Sequence, residues 1–501
     1  MKILTEKYLK DISFVLSCYD RILIEGTLPE LSHAHGMTAH LYDKGVKVFD
    51  YVKYAEPLKD IIKHNAEQLA RDNNIQIEFV RNASIRKEDL IKEKLLKCNN
   101  ASGIIHILSA MEICASYQPW HDKLTHKSYL KPHPGKCLHY YFYFNDAELG
   151  YGFVRVPTWC PFRLQVYVNG HGILAGKLNK AAIKYTMLDN AFDSLSDINK
   201  AQALADEISA QELMQKLNEL AWKYCPVYKQ LGLHYHWFVK QAEYATDIVF
   251  RKQSCLQQIY SELIATAIHT VQPDNIATFL GHKLSPLYKG EMGNNYQLRI
   301  SGSRIKHFMG KASIKMYDKF SKILRIETTV NDVSFFKHYR EVVHHDGNTS
   351  MKMAHLKKNI FSLPLLKDNM HACNMRYLEF ISAFDNNEAG IKRLQKITGT
   401  KEVENRKYKG FNFFSADDLK ILRAIIKGEF TINGFRNKDL RKLLDFKSNK
   451  VSRILKQLWS HGLIKKARSC YKYYVSRLGK EAIIMAEKIK NIVLIPAFNY
   501  Q

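Results

Sequence analysis

Two acidic residues near the middle of the chain have the spacing that a metal-binding hairpin needs. The segments SIKMYDK (313–319) and ILRIETT (323–329) are typical of two strands joined by a short turn. In that hairpin Asp318 and Glu327 are expected to lie close together at one end, with Tyr317 beside them. Paired carboxylates can hold a divalent ion for phosphodiester chemistry. The sequence therefore predicts Tyr317, Asp318 and Glu327 as a catalytic group, with Asp318 and Glu327 as ligands of Mg²⁺ or Mn²⁺.

The same hairpin has a second interpretation, in which its acids only form ion pairs. Asp318 and Glu327 would then pair with Lys315, Lys319 or Arg325 on a basic surface. Exposed pairs of this kind contribute little stability and perform no chemistry. The sequence leaves both interpretations of the hairpin open.

The run from GSR (302–304) to LRIE (324–327) resembles a segment of the rolling-circle plasmid and phage replication initiators, over about 30 residues. The resemblance implies a tyrosine that attacks DNA beside the GSR segment. In this chain Gly302 follows Ile300 and Ser301, and the nearest tyrosines are Tyr296 and Tyr317. The sequence therefore departs from those initiators at the position of the nucleophile.

Two further groups of residues suggest other metal sites. The segment HYHWFV (234–239) resembles the metal-binding strand of HUH endonucleases, but no accompanying tyrosine–lysine motif is found. Glu243 and Asp247 are four residues apart and are predicted to share one face of a helix. Together with Asp20 and Glu25 of the first strand, they form a candidate carboxylate cluster of the ribonuclease H type. Ordinary surface acids are the alternative for this set.

The elements around these residues predict an α+β multidomain protein. Strand and helix alternate over 1–135, which indicates an α/β domain. Residues 136–397 are predicted to form a mixed core of β-meander and helices, and 398–410 is polar and glycine-bounded, as a linker is. A separate domain is predicted over 411–501.

The aromatic strands of the central core have two interpretations. HYYFYF (139–144), VRVPTW (154–159) and FRLQVYVNGH (162–171) interleave aromatic side chains with Arg and His. Aromatic rings on a basic sheet can stack unpaired bases, so RNA is one predicted partner. A packed aromatic core is the alternative.

The C-terminal segment has the pattern of a helix-turn-helix followed by a hairpin. Ser415, Asn437 and Ser448 are predicted to cap three short helices, each with an apolar stripe at helical spacing. The second helix of the motif has a basic outer face, and the two strands after it carry further cations that suit phosphate contacts. The predicted DNA-binding residues are Asn449, Lys450, Ser452, Arg453, Lys456, Lys465, Lys466, Arg468 and Lys472.

This segment resembles the winged-helix domain of MarR-type transcription regulators, over about 411–490. The resemblance implies that the second helix of the motif enters the major groove of DNA. Arg453 is then expected to read guanine and Asn449 to read adenine, because their donors and acceptors match those base edges. A protein-interaction module is the alternative function of this domain.

Composition agrees with a nucleic-acid partner. Lys and Arg number 75 against 49 acidic residues, so the formal net charge is +26, which favours a polyanion over a neutral small molecule. Nine cysteines without a CxxC pair predict free thiols in a reducing compartment and argue against zinc fingers. No long uncharged apolar run is present, so we expect a cytoplasmic protein with no membrane partner.

The preferred hypothesis is a nucleic-acid-binding protein of a mobile or extrachromosomal element. Its C-terminal domain would recognise a DNA site, and its core would support replication initiation, transposition or DNA cleavage. Two alternatives stay open. One is a non-catalytic regulator, whose core senses a ligand or forms a homodimer, and the other is an RNA-binding protein.

Overall fold

The computed structural model describes residues 3–82, 85–97, 102–285, 287–299, 302–344, 346–382, 387–427, 430, 434–467 and 471–498. The chain divides into two compact units, a larger one (2–264 and 272–380) and a smaller one (265–271 and 381–501). Both α-helices and β-strands are abundant, which confirms the mixed α and β composition. None of the helices in the described part of the chain is both long and apolar enough to cross a membrane.

The larger unit is built on one large sheet and on several two-stranded sheets, with helices between the strands. The strands up to residue 355 are β1 (Ile12–Thr27), β2 (Glu78–Phe79), β3 (Gly103–Cys114), β4 (Tyr117–Asp122), β5 (Lys127–Pro132), β6 (Gly135–Asp146), β7 (Gly150–Pro157), β8 (Leu164–Asn169), β9 (Tyr185–Met187), β10 (Phe192–Leu195), β11 (His236–Phe250), β12 (Met292–Arg299), β13 (Gly302–Met309), β14 (Ala312–Lys319), β15 (Ile323–Val330), β16 (Lys337–Val343) and β17 (Thr349–His355).

The helices up to residue 381 include two long ones, α3 and α11. They are α1 (Leu4–Lys7), α2 (Ala34–Asp43), α3 (Tyr51–Asp72), α4 (Lys87–Lys97), α5 (Gly170–Lys180), α6 (Ile198–Asp206), α7 (Ala210–Tyr224), α8 (Val227–Leu231), α9 (Gln253–Thr270), α10 (Pro273–Phe279) and α11 (Leu363–Ile381), with 3-10 turns at Val48–Asp50, Val333–Phe335 and Ile360–Ser362.

Eleven strands form one sheet in the order β12-β13-β14-β15-β11-β1-β8-β7-β6-β3-β2. Its neighbours are antiparallel except for the short parallel pair β2–β3. The predicted meander is confirmed, since β6, β7 and β8 are successive antiparallel neighbours. Strands from both sides of residue 135, where a domain boundary was predicted, therefore belong to the same sheet.

One face of this sheet is covered by α11. The hydroxyl of Tyr19 on β1 donates to the carbonyl of Leu363 (2.8 Å), and the amide of Asn374 donates to the carbonyl of Tyr244 on β11 (3.0 Å). Thr328 of β15 donates to the Asn374 side chain (2.7 Å), so one buried amide joins two strands. Side chains alternate along a strand, so the residues next to Tyr19 on β1 and next to Thr328 on β15 point to the opposite face of the sheet.

The opposite face is covered at two places. Leu16 and Cys18 of β1 pack with Leu174 and Leu178 of α5, while α4 packs through Ile91 over the strands at the other end of the sheet. The polar side chains of β1, β11 and β15 converge beside the first turn of α5.

The smaller unit has a core of its own. Its elements are α12 (Asn387–Thr398), β18 (Lys401–Val403), β19 (Arg406–Tyr408), α13 (Ala416–Ile425), α14 (Asn437–Leu444), α15 (Ser448–Ser460), β20 (Ile464–Lys466), β21 (Tyr473–Val475), α16 (Arg477–Lys488), a π-helical turn at Ile489–Leu494 and α17 (Ile495–Phe498). Leu422, Leu440, Leu458 and Ile483 are fully buried in that core. The segment predicted as a linker, 398–410, carries the hairpin β18–β19.

The predicted elements differ from the structure mainly between 190 and 270. The hairpin of 313–329 is confirmed. The prediction that Glu243 and Asp247 share one face of a helix was wrong, because both residues lie on β11. Every residue from Ala245 to Phe250 is buried, including Thr246 and Asp247, so this part of the strand lacks the alternation of apolar and polar residues that marks a half-buried strand. The seven cysteines that the structure describes are free thiols, as predicted.

Candidate metal centre

Three carboxylates converge on one face of the large sheet. Asp20 lies on β1, Glu243 on β11 and Glu327 on β15, and these three strands are immediate neighbours. The register places Glu327 opposite Ala245, two residues from Glu243 along β11, so Glu243 and Glu327 point to the same side. Each residue offers one oxygen, and these oxygens all lie within 4.8 Å of one another. We call Asp20, Glu243 and Glu327 the acidic triad.

Asp20 follows Leu16 and Cys18 on the face that packs against α5, as the alternation of β1 requires. Tyr19 pairs with Tyr244 and Arg21 with Glu243, so Asp20 is one extra residue between two consecutive partners on β11. An extra residue of this kind is a β-bulge, which breaks the strict alternation. The bulge therefore places Arg21, as well as Asp20, on the face that carries Glu243.

A buried arginine, Arg325, binds Asp247, an acid that lies beside the triad. Arg325 is completely buried and forms a bidentate pair with Asp247, through Nε to Oδ1 (2.6 Å) and Nη2 to Oδ2 (2.7 Å). Its Nη1 donates to Oδ1 of Asp20 (3.1 Å), and Nη2 donates to the carbonyl of Asn190 (2.7 Å). Burial alone would raise the pKa of both aspartates, but the guanidinium lowers the pKa of Asp247 to about 2 and that of Asp20 further still. Both acids are therefore ionised at neutral pH.

Helix α5 brings a histidine to the same place. Asn169 caps this helix by accepting from the backbone N–H of Gly172, and His171 lies in its first turn. The Nδ1 of His171 is 3.0 Å from Oδ1 of Asp20, and its Nε2 is 3.6 Å from Oδ2 of Asp247. Burial would lower the pKa of His171, but the thiol of Cys18 and these two carboxylates raise it well above its usual value.

Lysine and tyrosine from β14 contact the other two acids of the triad. The Lys315 ammonium lies 2.6 Å from Oε1 of Glu327 and 3.3 Å from Oε1 of Glu243, so it bridges them. The hydroxyl of Tyr317 donates to Oε2 of Glu327 (2.7 Å). Burial, followed by the charge of Glu327, raises the pKa of Glu243 and raises that of Tyr317 well above its usual value.

The triad retains acceptor positions that the chain does not use. The hydrogen bonds to Asp20 reach Oδ1, from Arg325 and from the amide of Asn190 (2.9 Å), and those to Glu243 reach Oε1. Among the described residues, no hydrogen bond is made to Oδ2 of Asp20 or to Oε2 of Glu243. The side chain of Glu243 is 14% exposed and that of Lys315 16%, whereas Arg325 is fully buried. The triad therefore opens to solvent on the side of Glu243.

The structure brings together some of the residues that the sequence singled out and separates others. Tyr317 and Glu327 lie in the cluster, but Asp318 does not join Glu327. Asp318 pairs with Leu324 in the hairpin, and it alternates with Tyr317, so its side chain points to the opposite face. There it is half-buried near Gly302, and burial raises its pKa to about 6. The expected proximity of Asp318 and Glu327 is corrected in this way.

Of the two predicted groups of acids, the ribonuclease H-type set matches the observed cluster better than the hairpin pair does. Asp20 and Glu243 are members of the triad and Asp247 lies beside it, held by Arg325. Glu25 lies further along β1, where it pairs with Lys240 (2.9 Å). The sequence reasoning missed that the two groups form one site, because the pairing of β11 with β15 joins Glu243 to Glu327.

The histidines of HYHWFV do not form a metal site with the triad. His236 is exposed at the beginning of β11, seven residues before Glu243. Among the described residues, the acidic triad is the only cluster of three or more side chains that could hold a metal ion. The expected strand is present from His236 onward, but the histidines of the motif belong to no cluster of metal ligands among the described residues.

The predicted DNA-binding residues of the smaller unit lie on one helix and one hairpin. Asn449, Lys450, Ser452, Arg453 and Lys456 of α15 are all exposed, while the apolar residues between them are buried. Lys465 and Lys466 are exposed on β20, and Lys472 is partly exposed before β21. Arg468 lies outside the described residues.

The helix starts of the smaller unit differ by one residue from those predicted. Helix α14 begins at Asn437, and Asp439 accepts from the backbone N–H of Arg436 (2.8 Å). Helix α15 begins at Ser448 itself. Ser415 does precede α13, but Asp418 accepts from the backbone N–H of Asn412 (2.7 Å) instead of closing a capping box. The side chain of Asn437 donates to Ser452 (2.9 Å), which joins α14 to the exposed face of α15.

No protein-family model, curated protein or solved structure matches this chain.

Proposed function

We propose that this protein binds nucleic acid and cuts or rejoins its phosphodiester backbone at a divalent metal ion held by the acidic triad. The observation that carries the proposal is the convergence of Asp20, Glu243 and Glu327, from three neighbouring strands, to within 4.8 Å. Hard divalent ions such as Mg²⁺ and Mn²⁺ take oxygen ligands of this kind. A bound ion of this type activates water and stabilises the charge that develops on a phosphoryl oxygen.

The electrostatics of Glu243 support a cation site. Four carboxylates, those of the triad and of Asp247, are contacted by the permanent cations Arg325 and Lys315. Arg21 pairs in register with Glu243 and its charge lowers the pKa of that carboxyl, but burial and the charge of Glu327 raise this pKa overall. A divalent ion on the open side of Glu243 would favour its ionised form.

The residues around the triad have positioning roles in this proposal. Arg325 fixes Asp20 by holding its Oδ1, which leaves Oδ2 directed away from the guanidinium. The hydroxyl of Tyr317 donates to Oε2 of Glu327, so in this proposal Tyr317 orients that carboxylate. A water or hydroxyl from outside the chain is proposed as the group that attacks the phosphorus.

The smaller unit supports the recognition half of the proposal. Helices α13, α14 and α15 are followed by the hairpin β20–β21 and by α16, which is the element order of a winged helix-turn-helix. Helix α15 presents Lys450, Arg453 and Lys456 to solvent. We propose that α15 enters the major groove of DNA and that the hairpin contacts phosphates. A reading domain joined to a cleavage centre suits replication initiation or transposition in a mobile or extrachromosomal element.

The experiment that tests the proposal is metal-dependent cleavage by the full-length chain. Nucleic acid that co-purifies after crosslinking and a high-salt wash is sequenced, resynthesised with labelled ends and incubated with Mg²⁺ or Mn²⁺. Asp20→Asn, Glu243→Gln and Glu327→Gln should each abolish the new ends, since each removes one ligand charge while keeping the side-chain shape. The matched control is Asp318→Asn, which neutralises a partly buried acid on the opposite face of the same sheet and should leave cleavage unchanged.

Direct metal binding separates the proposal from a loss of folding. Calorimetric titration with Mn²⁺ should show one tight site in the wild type and in Asp318→Asn, but none in the triad variants. If the wild type binds no divalent ion, or if cleavage persists after Glu327→Gln, the triad is not the centre of the reaction.

A second function is favoured by the contacts of Lys315. Because this ammonium bridges Glu243 and Glu327, the cluster can also be a buried ion-pair network that only stabilises the sheet. The protein would then be a non-catalytic regulator that uses the smaller unit for DNA binding. A footprint on an inverted repeat with half-sites about one helical turn apart, without new ends, would favour that function.

A further inference from the structure

The face of the sheet that carries the acidic triad continues onto the strands at its β12 end. Lys306 on β13 pairs in register with Lys315 on β14, and Lys315 in turn pairs with Glu327 on β15. Residues that lie directly opposite each other on neighbouring strands share a face, so these three side chains form a row that ends at the triad. In the adjacent row, Arg304 on β13 pairs with Tyr317. We call Arg304 and Lys306 the β13 cations.

The β13 cations are partly exposed, whereas the residues that alternate with them are buried. Ile305 and His307 point to the opposite face, where Nε2 of His307 lies 3.1 Å from the hydroxyl of Tyr377 on α11. Because side chains alternate along a strand, Arg304 and Lys306 point away from α11, to the side of the sheet on which the triad lies. A ligand that reaches the triad across β13 and β14 therefore meets basic side chains first.

Lys306 has no counter-charge of its own. Its ammonium makes no ion pair and no hydrogen bond within the part of the chain that the structure describes. It faces Lys315, which is already bound by Glu243 and Glu327, and like charges placed directly opposite each other destabilise a sheet. Burial, then the charges of Lys315 and Arg304, lower the pKa of Lys306, although the two glutamates oppose this change. An anion bound at Lys306 would offset the repulsion.

The triad needs such cations nearby if its ligand is a nucleic acid. Its carboxylates and the phosphates of a nucleic acid are both anions, so they repel each other unless positive charge lies between or beside them. Lys306 is two strand spacings from Glu327 along the row, which is roughly 10 Å. A phosphate bound at Lys306 and a phosphodiester at the triad can therefore belong to the same backbone.

We propose that the β13 cations form a phosphate-binding site that holds the sugar–phosphate backbone of a nucleic acid next to the triad, with Lys306 as the main contact. Arg304, whose guanidinium also donates to the side chain of Gln297 (2.5 Å), is the second contact. This proposal rests on the function proposed above and names the side from which the substrate reaches the same site. Contacts to phosphates position a backbone without reading its bases, so the binding is independent of base sequence.

The test is nucleic-acid binding by the full-length chain in EDTA, measured by fluorescence anisotropy over a range of salt concentrations. The probes are a labelled DNA duplex of mixed sequence and the matching single strands of DNA and of RNA. Lys306→Gln should weaken the binding of at least one probe about fivefold at about 150 mM salt, and the probe that responds identifies the form of the substrate. The salt slope for that probe should fall by about 0.9 for the duplex or about 0.7 for a single strand, as expected for one lost phosphate contact.

Three other variants are matched to this one. Lys306→Arg keeps the charge and should keep both the affinity and the salt slope. Arg304→Gln should lower the slope by a similar amount or less, and its effect should add to that of Lys306→Gln. Lys53→Gln removes an exposed cation on α3 and should change neither quantity.

Thermal unfolding separates a binding role of Lys306 from a structural one. Because Lys306 faces a like charge, Lys306→Gln should unfold at a temperature at least as high as that of the wild type in the absence of nucleic acid. Its binding should nevertheless be weaker. A residue that only supported the fold would lose stability and binding together, and that result would contradict the proposal.

The outcomes distinguish this inference from the function on which it rests. If Lys306→Gln binds every probe as tightly as Lys53→Gln does, the β13 cations are not a binding site and the inference fails. Binding that depends on Lys306, with no cleavage in Mn²⁺, leaves the phosphate site standing and overturns the metal chemistry. Metal-dependent cleavage by a chain whose binding is insensitive to Lys306→Gln does the reverse.

Discussion

The substitution Lys315→Met tests whether the acidic triad is built to hold a cation. The Lys315 ammonium is the only lysine contact of Glu327 among the described residues and lies 2.6 Å from it, in a place where both side chains are largely buried. Met keeps most of the apolar stem and removes the charge. Glu243 and Glu327 then face each other without their bridge, and breaking a buried ion pair on one side costs about 3–5 kcal/mol of folding free energy. Because the pKa of Glu243 is already raised, this carboxyl can take up a proton, so the loss is expected near the lower end of that range.

A divalent ion should restore the stability that Lys315→Met loses. An ion that binds only the folded state adds RT ln(1 + [L]/Kd), which is about 2.7 kcal/mol when the free ion is at one hundred times its Kd. The assay is urea unfolding followed by tryptophan fluorescence and circular dichroism, in EDTA and in Mn²⁺. The variant should be strongly destabilised in EDTA and recover most of the difference in Mn²⁺, and the wild type should gain less because Lys315 competes with the ion.

Two results would refute this reasoning. If Lys315→Met unfolds at the same urea concentration as the wild type, the bridge does not hold the two glutamates together. If the variant is destabilised but Mn²⁺ does not restore it, the cluster is an ion-pair network and not a metal site. Lys53→Met is the matched control, since its pair with Asp50 is exposed on a helix and its loss should change stability little.

Three other outcomes are expected. The pKa of Asp247 is about 2 in the folded chain, below its value in the unfolded chain. Its pair with Arg325 therefore stabilises the protein by roughly 2 kcal/mol above about pH 4. This contribution is lost as the pH falls towards 2. Asp247→Asn should therefore lower the free energy of unfolding at pH 6 and flatten its dependence on pH below 4; an unchanged pH profile would contradict the pairing. Arg453→Ala should cost about 1–3 kcal/mol at the preferred DNA site and relax specificity there, and intact specificity in a competition assay would show that α15 is not the reading helix. Lys466→Ala should weaken binding to all sequences alike and lower the salt slope by about one unit, whereas a sequence-dependent loss would assign it to base contacts.

The sequence predicts local elements of this chain well where their period is visible. Helix α15 is an example, since Val451, Ile454, Leu455 and Leu458 recur at helical spacing and all four are buried. The hairpin β14–β15 is another example, because its turn and its strand pattern can both be recognised in the sequence. Strand β11 is the opposite case: its buried run hides the period, and Glu243 and Asp247 are spaced equally well for one face of a helix or of a strand.

The candidate site could be predicted only in parts, because it depends on pairing between distant segments. Asp20 and Glu327 are far apart along the chain, and only the placement of β11 between β1 and β15 makes them neighbours. No local pattern specifies which strands become adjacent in a sheet of this size. Asp318 was favoured over Glu243 because it is close to Glu327 in sequence, but a one-residue offset along a strand places a side chain on the other face.

Two local irregularities shape the site, and neither could be predicted from the period of the sequence. The bulge at Asp20 puts two consecutive residues, Asp20 and Arg21, on the same face of β1, and a bulge of this kind is a positional feature rather than a defect. At Gly170, an added Cβ would lie 1.9 Å from the carbonyl oxygen of Tyr19, so only glycine allows α5 to begin close enough to β1 for His171 to reach Asp20. Both irregularities lie next to Asp20 in β1, since Gly170 approaches the carbonyl of Tyr19 and the bulge lies between Tyr19 and Arg21. A strand that only carried a hydrophobic core would need neither, and such departures from local rules are expected at functional sites.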